Sequence, residues 1–193
     1  MIGVMIVSLL FFSGEKSVFA GDMSQKKERM MIHKDAGPKF DESGELLRPE
    51  GYRKWIFVGG PVTPNELNEG KAAFPEFHHV YIDPAGYYEY KKTGKFRDGT
   101  IFVKELVNVG AKKGASGNGY FPGEFSGVIA ASVKDSKRFP DEPGNWAYFD
   151  FGKDKKKAKA LPASSCSDCH KAHANEDLVF TQFYPVLRAA RPE

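Results

Sequence analysis

Both cysteines of the chain fall inside one short segment, Cys166-Ser167-Asp168-Cys169-His170. Cys-x-x-Cys-His is the attachment signature of a c-type haem, and its spacing has a mechanical reason. Two thiols three residues apart on a turn reach the two vinyl groups of one porphyrin as thioethers, and the next residue places an imidazole under the iron. A chain built this way must fold around a flat, largely apolar group. Two other readings of the cysteines exist. A redox dithiol would sit in a βαβ setting, which the flanking sequence lacks. A zinc site needs two more ligands at matching spacing, and there is no second cysteine pair. On the haem reading Cys166 and Cys169 carry the thioethers, His170 is the proximal iron ligand, and one haem c is bound per chain. His173, one turn on, reads as a surface residue.

The other side of the iron separates a carrier from a catalyst. Electron-transfer cytochromes close the sixth position with Met or a second His. The five methionines, Met1, Met5, Met23, Met30 and Met31, all lie near the N-terminus, before the strand-forming part of the chain. His33, His78 and His79 remain as closing candidates. On a strand His78 and His79 face opposite sides, so at most one of them points at the haem. A partly exposed, hydrogen-bonded histidine is the ordinary role for each. An open sixth position is therefore expected, and with it small-ligand chemistry.

Ile2 to Phe12 is the one long apolar run, and at this length it falls short of the ~20 residues that span a bilayer. Val18 and Ala20 suit the two positions read by a signal peptidase, so residues 1–20 read as a leader cleaved after Ala20; an uncleaved membrane anchor is the alternative. Haem c is attached outside the bacterial cytoplasm, which makes the periplasm the expected location. Residues 21–50 read as a charged lead-in and residues 51–193 as a single domain. With 193 residues, 41% of them apolar, there is enough for one core. The net charge of +3 comes from scattered Lys and Arg, so nucleic acid is not an expected partner.

From Phe40 onward Gly and Pro punctuate short apolar and aromatic runs. Strands are predicted over 54–58, 77–83, 100–109, 124–133 and 145–151, all rich in Val, Ile, Phe, Tyr and Trp. Between the second and third, Asp83 reads as an N-cap, Pro84 as the first helical residue and Gly94 as the stop. Lys112 to Gly119 reads as a flexible turn, and Lys153 to Lys159, with five lysines, as a solvated linker or a docking patch for an acidic redox partner. Ser164 to Ala190 reads as helical, interrupted at Pro185. The fold class is thus α+β, mainly β: an antiparallel sheet of about five strands with a few helices and a C-terminal haem-attachment segment.

Several segments between Gly51 and Ala190 carry a more specific signal. They include Val62-Thr63-Pro64-Asn65-Glu66-Leu67-Asn68, Phe96-Arg97-Asp98-Gly99-Thr100, Val103-Lys104-Glu105-Leu106 and Gly117-Asn118-Gly119-Tyr120-Phe121. Ser132-Val133-Lys134-Asp135-Ser136, Glu142-Pro143-Gly144-Asn145-Trp146-Ala147 and Phe183-Tyr184-Pro185-Val186-Leu187-Arg188 continue it. Together these closely resemble cytochrome P-460, the periplasmic haem enzyme of ammonia-oxidising and methane-oxidising bacteria. The resemblance implies a homodimer built mainly from an antiparallel sheet, and a haem c with a further covalent bond from a lysine nitrogen to a porphyrin meso carbon. It also implies oxidation of hydroxylamine, with nitrous oxide formed when nitric oxide also reacts, and a soluble electron acceptor such as another cytochrome c. By position Lys104 matches the cross-linking lysine. His78 stands where the family has an arginine near the distal pocket, which bears on distal proton handling.

The residues alone would not single out Lys104. Its strand places Thr100, Phe102, Lys104 and Leu106 on one face and Ile101, Val103, Glu105 and Val107 on the other, with one charge to each face. A lysine in that setting ordinarily lays its stem on apolar surface and sends its ammonium to water. The resemblance reverses that preference. Phe74, Phe77, Phe102 and Phe121 are candidates for an apolar distal wall, and Glu124, Glu142 and Asp150 for a proton acceptor. The competing function is a gas-binding protein like the related cytochrome c′-beta group, which shares the fold without the lysine link. A plain electron carrier is disfavoured by where the methionines lie.

Overall fold

The structure, a computed structural model, describes residues 37–192. The expected leader, His33 and all five methionines lie outside the described residues. The chain runs through β1 (Leu46–Leu47), β2 (Ile56–Gly59), β3 (Phe77–Ile82), α1 (Pro84–Thr93), β4 (Ile101–Val109), β5 (Lys113–Gly114) and β6 (Gly117–Asn118). It continues through β7 (Pro122–Lys134), β8 (Trp146–Gly152), β9 (Lys157–Ala158), α2 (Ala163–His173) and α3 (Pro185–Ala190). Five strands pair in the order β2-β3-β4-β7-β8, antiparallel throughout. The α+β, mainly β class is therefore observed, and each strand predicted for the sheet forms within two residues of its expected ends.

Helix α1 begins and ends where its caps dictate. The Asp83 carboxylate accepts from Gly86 N at 2.8 Å, Pro84 occupies the first turn, and Gly94 stops the helix in the left-handed conformation. The other Asp83 oxygen accepts from Ile101 N at 2.8 Å, so one fully buried side chain caps the helix and ties it to the start of β4. A Cβ on Gly86 would come within 2.6 Å of that carboxylate and 2.7 Å of Thr100, which leaves glycine as the residue that fits.

The C-terminal segment departs from expectation. It is not one helix broken at Pro185: α2 ends at His173, an irregular stretch with a short 3-10 turn at Thr181–Phe183 follows, and Pro185 is the first residue of α3. Proline at that position gives up an N–H that has no intrahelical partner anyway. The helix cannot run through 177–178 because Asp177 and Leu178 both have positive φ. The lysine run also does more than link. Lys157, on β9, pairs with Asp41 at 2.7 Å and Glu45 at 2.6 Å, while β9 pairs with β1 and its Ala158 is buried. The last part of the segment read as a lead-in thus joins the packed body, with Leu46 fully buried. Residues 112–119, read as a turn, contain the β5–β6 hairpin.

The sheet is covered on both sides. Ile101, Val103, Ile129, Ala131, Val133, Ala147, Phe149 and Phe151 form a core with Leu46, Tyr52 and Ala158 on one face. On the other face Val80, Ile82, Phe102, Trp146 and Tyr148 pack with Tyr90, Phe96, Val179 and Leu187, and Cys166 borders them. Helices α1, α2 and α3 therefore lie on this second face.

Glu105 points into the first face and is almost fully buried. It accepts from Tyr52 OH at 2.6 Å, Arg53 Nε at 2.9 Å and Tyr81 OH at 3.0 Å, and Arg53 closes an ion pair at 2.7 Å. Burial opposes its charge, but these donors outweigh burial and hold its carboxyl below the usual carboxylate range. Half of Arg53 is in water, so the pair is worth less than the ~3–5 kcal/mol lost on breaking a fully buried one. Glu105→Gln is expected to lower unfolding free energy by about 2 kcal/mol at neutral pH, measured by urea denaturation. A carboxyl with a depressed folded pKa stabilises above its unfolded pKa and loses that contribution as pH falls through the folded one. The gap between parent and variant should therefore narrow below about pH 4.5; a gap that stays constant to about pH 2 would contradict the assignment.

Candidate functional site

Helix α2 carries the two thiols and the imidazole on one structural element. Cys166 and Cys169 are three residues apart and His170 is four on from Cys166, spacings that place the three on neighbouring positions of the helix surface. The thiols are free rather than bonded to each other; Cys166 is half-buried and Cys169 exposed. Burial pushes the Cys166 thiol up, against the opposing pull of the Lys104 charge. Among the described residues no group of three or more His, Cys, Asp or Glu side chains is arranged to hold a metal ion.

The His170 ring is wedged between Tyr148 on β8 and Phe180, with ring centroids 4.7 and 4.6 Å away. Its Nδ1 lies 2.7 Å from the Leu178 carbonyl oxygen. A carbonyl only accepts, so Nδ1 carries the proton and Nε2 keeps its lone pair. Burial holds the ring below the ordinary histidine pKa, which favours this neutral form. Two free thiols and a neutral imidazole with an oriented, available nitrogen are the donor set that a c-type haem requires, and the residues fit that group. Bound there, the group supplies redox chemistry and an iron coordination site.

Lys104 reaches the same region from the sheet. On β4 it stands opposite Val80 of β3 and Ala130 of β7, on the face that carries the helices. Its Nζ sits 4.0 Å from the centre of the Phe74 ring. Burial lowers its pKa, with the charges of Cys166, Glu76 and Asp150 opposing, and its own charge acts on both Cys166 and His170. Lysine and attachment helix thus share one basin, though 61 residues separate Lys104 from the first thiol.

His78 lies on this face and His79 on the other, as strand alternation requires. The His78 Nε2 donates to the Phe74 carbonyl at 3.0 Å and its ring meets the Phe74 ring edge-on, so one phenylalanine supports both His78 and Lys104. Burial lowers the His78 pKa. His79 instead faces Glu105 at 3.7 Å, beside Phe57 and Phe77.

The four phenylalanines expected as a distal wall are divided. Phe74 and Phe102 lie on the Lys104 side. Phe77 points to the opposite face, since it alternates in step with His79, and Phe121 closes over Gly114 of the hairpin. Of the expected proton acceptors, Asp150 lies on the Lys104 face, exposed, and acts on Lys104. Glu124 is exposed on β7, and Glu142 acts on Tyr148 rather than on Lys104. Glu76 was not singled out in the sequence. Its Oε2 is buried with no hydrogen-bond partner among the described residues, and its charge acts on both Lys104 and His78. The only trace in the sequence is an acid set within the aromatic run Phe74-Pro75-Glu76-Phe77.

No curated protein matches the chain. A model of the family described as Cytochrome P460 matches residues 49–181, a span that holds Lys104, Cys166, Cys169 and His170. With two thirds of its length matched and the donors of a c-type haem on one helix, the chain belongs to the cytochrome P460 family of c-type haem proteins.

Proposed function

We propose that the protein is a periplasmic enzyme that oxidises hydroxylamine at an open iron site, forming nitrous oxide when nitric oxide also reacts, with Lys104 bonded to a porphyrin meso carbon. The observation that carries this reading is the place of the Lys104 amine, on the face of Phe74 and within electrostatic reach of Cys166 and His170. An amine attacks carbon only when deprotonated, and burial favours that form here. Replacing a meso C–H by C–N removes two electrons and two protons, so an oxidant of the peroxide class is the required co-reactant.

The overall reaction of hydroxylamine with nitric oxide gives nitrous oxide, water, a proton and an electron. The proton needs an acceptor, and Glu76, with its unpartnered buried oxygen, is better placed than the acids legible in sequence. His78 lies in the same polar group and orients the Phe74 loop. The electron leaves to a soluble acceptor such as another cytochrome c. The leader over 1–20 and a homodimeric assembly complete the proposal. One observation favours a second reading: an ammonium resting on Phe74 is also what an unlinked lysine does. That reading is a nitric oxide-binding protein of the cytochrome c′-beta kind, without turnover.

The intact mass of the purified protein is expected to equal the chain from Gly21 plus one haem, less two hydrogens for the Lys104 link, and acid–acetone should leave the haem on the polypeptide. Release of the haem into solvent would refute thioether attachment. His170→Ala should remove the axial ligand and retain the attached haem.

The reduced protein is expected to be five-coordinate and to bind carbon monoxide or nitric oxide without displacing a strong protein ligand, since no methionine follows Met31. A six-coordinate low-spin spectrum in both oxidation states, without added ligand, would instead identify a carrier.

Lys104→Leu should keep the thioether-bound haem, give an ordinary c-type spectrum and lower hydroxylamine oxidation by about 100-fold or more. In the parent, link formation should quicken with rising pH and do so at lower pH than an ordinary lysine would, because the Lys104 pKa is lowered. Undiminished turnover by the variant sinks the enzymatic role of the lysine, and a parent without a third attachment leaves the gas-binding reading.

A further inference from the structure

The carbonyl that holds His170 belongs to an unusual turn. Glu176 and Val179 exchange both backbone hydrogen bonds, and the two residues between them, Asp177 and Leu178, have φ of 44° and 60°. Two central residues with positive φ define a type I′ turn, whose second position ordinarily takes glycine because any Cβ is penalised there. Here that position is leucine. A left-handed leucine is strained, and such strain persists only where the surroundings impose it.

The surroundings impose it through three residues of the turn. The Asp177 carboxylate accepts from the Lys134 ammonium at 3.0–3.1 Å, and the same ammonium donates to the Gly144 carbonyl at 2.6 Å. Lys134 is the last residue of β7, and its Nζ is 5.4 Å from the Trp146 ring centre, so it is well shielded from water, with 16% of its side chain exposed. The Glu176 carboxylate accepts from Tyr90 OH of α1 at 2.7 Å and pairs with Arg191, just past α3, at 2.6 Å. The Leu178 side chain packs on the helix-side core.

We infer that this turn is a clamp on the proximal histidine and that Lys134 is its positioning residue, holding the Leu178 carbonyl against His170 Nδ1. The function is electronic as well as steric. An acceptor on Nδ1–H fixes the ring and makes Nε2 a stronger donor, which strengthens a metal–imidazole bond and favours the oxidised metal. With the Lys134–Asp177 bridge gone, the strained turn can relax, turning the Leu178 carbonyl away from the ring. The inference rests on His170 as the iron ligand and is independent of both the Lys104 link and hydroxylamine as substrate.

The test uses the reduced holoprotein, with resonance Raman reading the iron–histidine stretch and a spectroelectrochemical titration reading the potential. Lys134→Met is expected to lower the stretching frequency and raise the potential while the haem stays attached; Lys134→Arg keeps the bridge and should keep both parental values. Asp177→Ala removes the same bridge from its other side and is expected to give the same shifts, so the test stands even where Lys134→Met does not fold. Parental values in both bridge variants would overturn the clamp. A five-coordinate reduced parent with no iron–histidine stretch would overturn the assignment of His170 itself, and with it the clamp.

Discussion

Strand β4 runs through the middle of the sheet with apolar layers on both sides, and strand alternation sends two adjacent charged residues to opposite faces: Lys104 towards the helices, Glu105 away from them. Burying either charge without partners is costly. Glu105 finds two tyrosine hydroxyls and an arginine, and becomes an anchor for the strand. Among the described residues Lys104 has no carboxylate within ion-pair distance, only an aromatic face and more distant charges, so burial acts on it largely uncompensated. The strand is held by one residue of the pair and made chemically distinctive by the other.

The helix-side face is organised around this asymmetry. Tyr148, two strands away from β4, flanks the His170 ring, and α2 brings Cys166 within electrostatic reach of Lys104. The proximal side is dominated by fixed hydrogen bonds and ion pairs at the 176–179 turn. The Lys104 side is built from Phe74, His78 and Glu76, in which an aromatic residue carries two polar side chains and one acid oxygen has no partner. A donor side held by fixed bonds would hold a haem iron firmly through His170, and the polar group around Lys104 keeps hydrogen-bonding capacity that could take up or supply a proton.

Much of this was legible in local sequence. The Cys166–His170 spacing identifies the attachment group, Asp83-Pro84 and Gly94 bound α1, and β-branched and aromatic runs mark the five strands of the sheet. Those features depend on neighbours in the chain. The 174–184 stretch was not legible, because a left-handed Leu178 contradicts its own propensity and the turn that contains it is held by contacts from Lys134, Tyr90 and Arg191. Phe77 and Phe121 looked equivalent to Phe74 and Phe102, yet strand parity turns Phe77 to the other face and the hairpin takes Phe121. Glu76 carried almost no signal of its own.

By itself, then, the sequence determined the chemistry of attachment, the strand periodicity and the family, since each is written in spacing or alternation over a few residues. The tertiary structure alone decided which charge faces which layer, which carbonyl meets the His170 ring and which acid lies beside Lys104. Those outcomes depend on contacts between β4, β7, the Phe74 loop and α2, segments far apart in the chain. A residue's burial and hydrogen-bond partners, unlike its spacing from its neighbours, have no value until the sheet has closed.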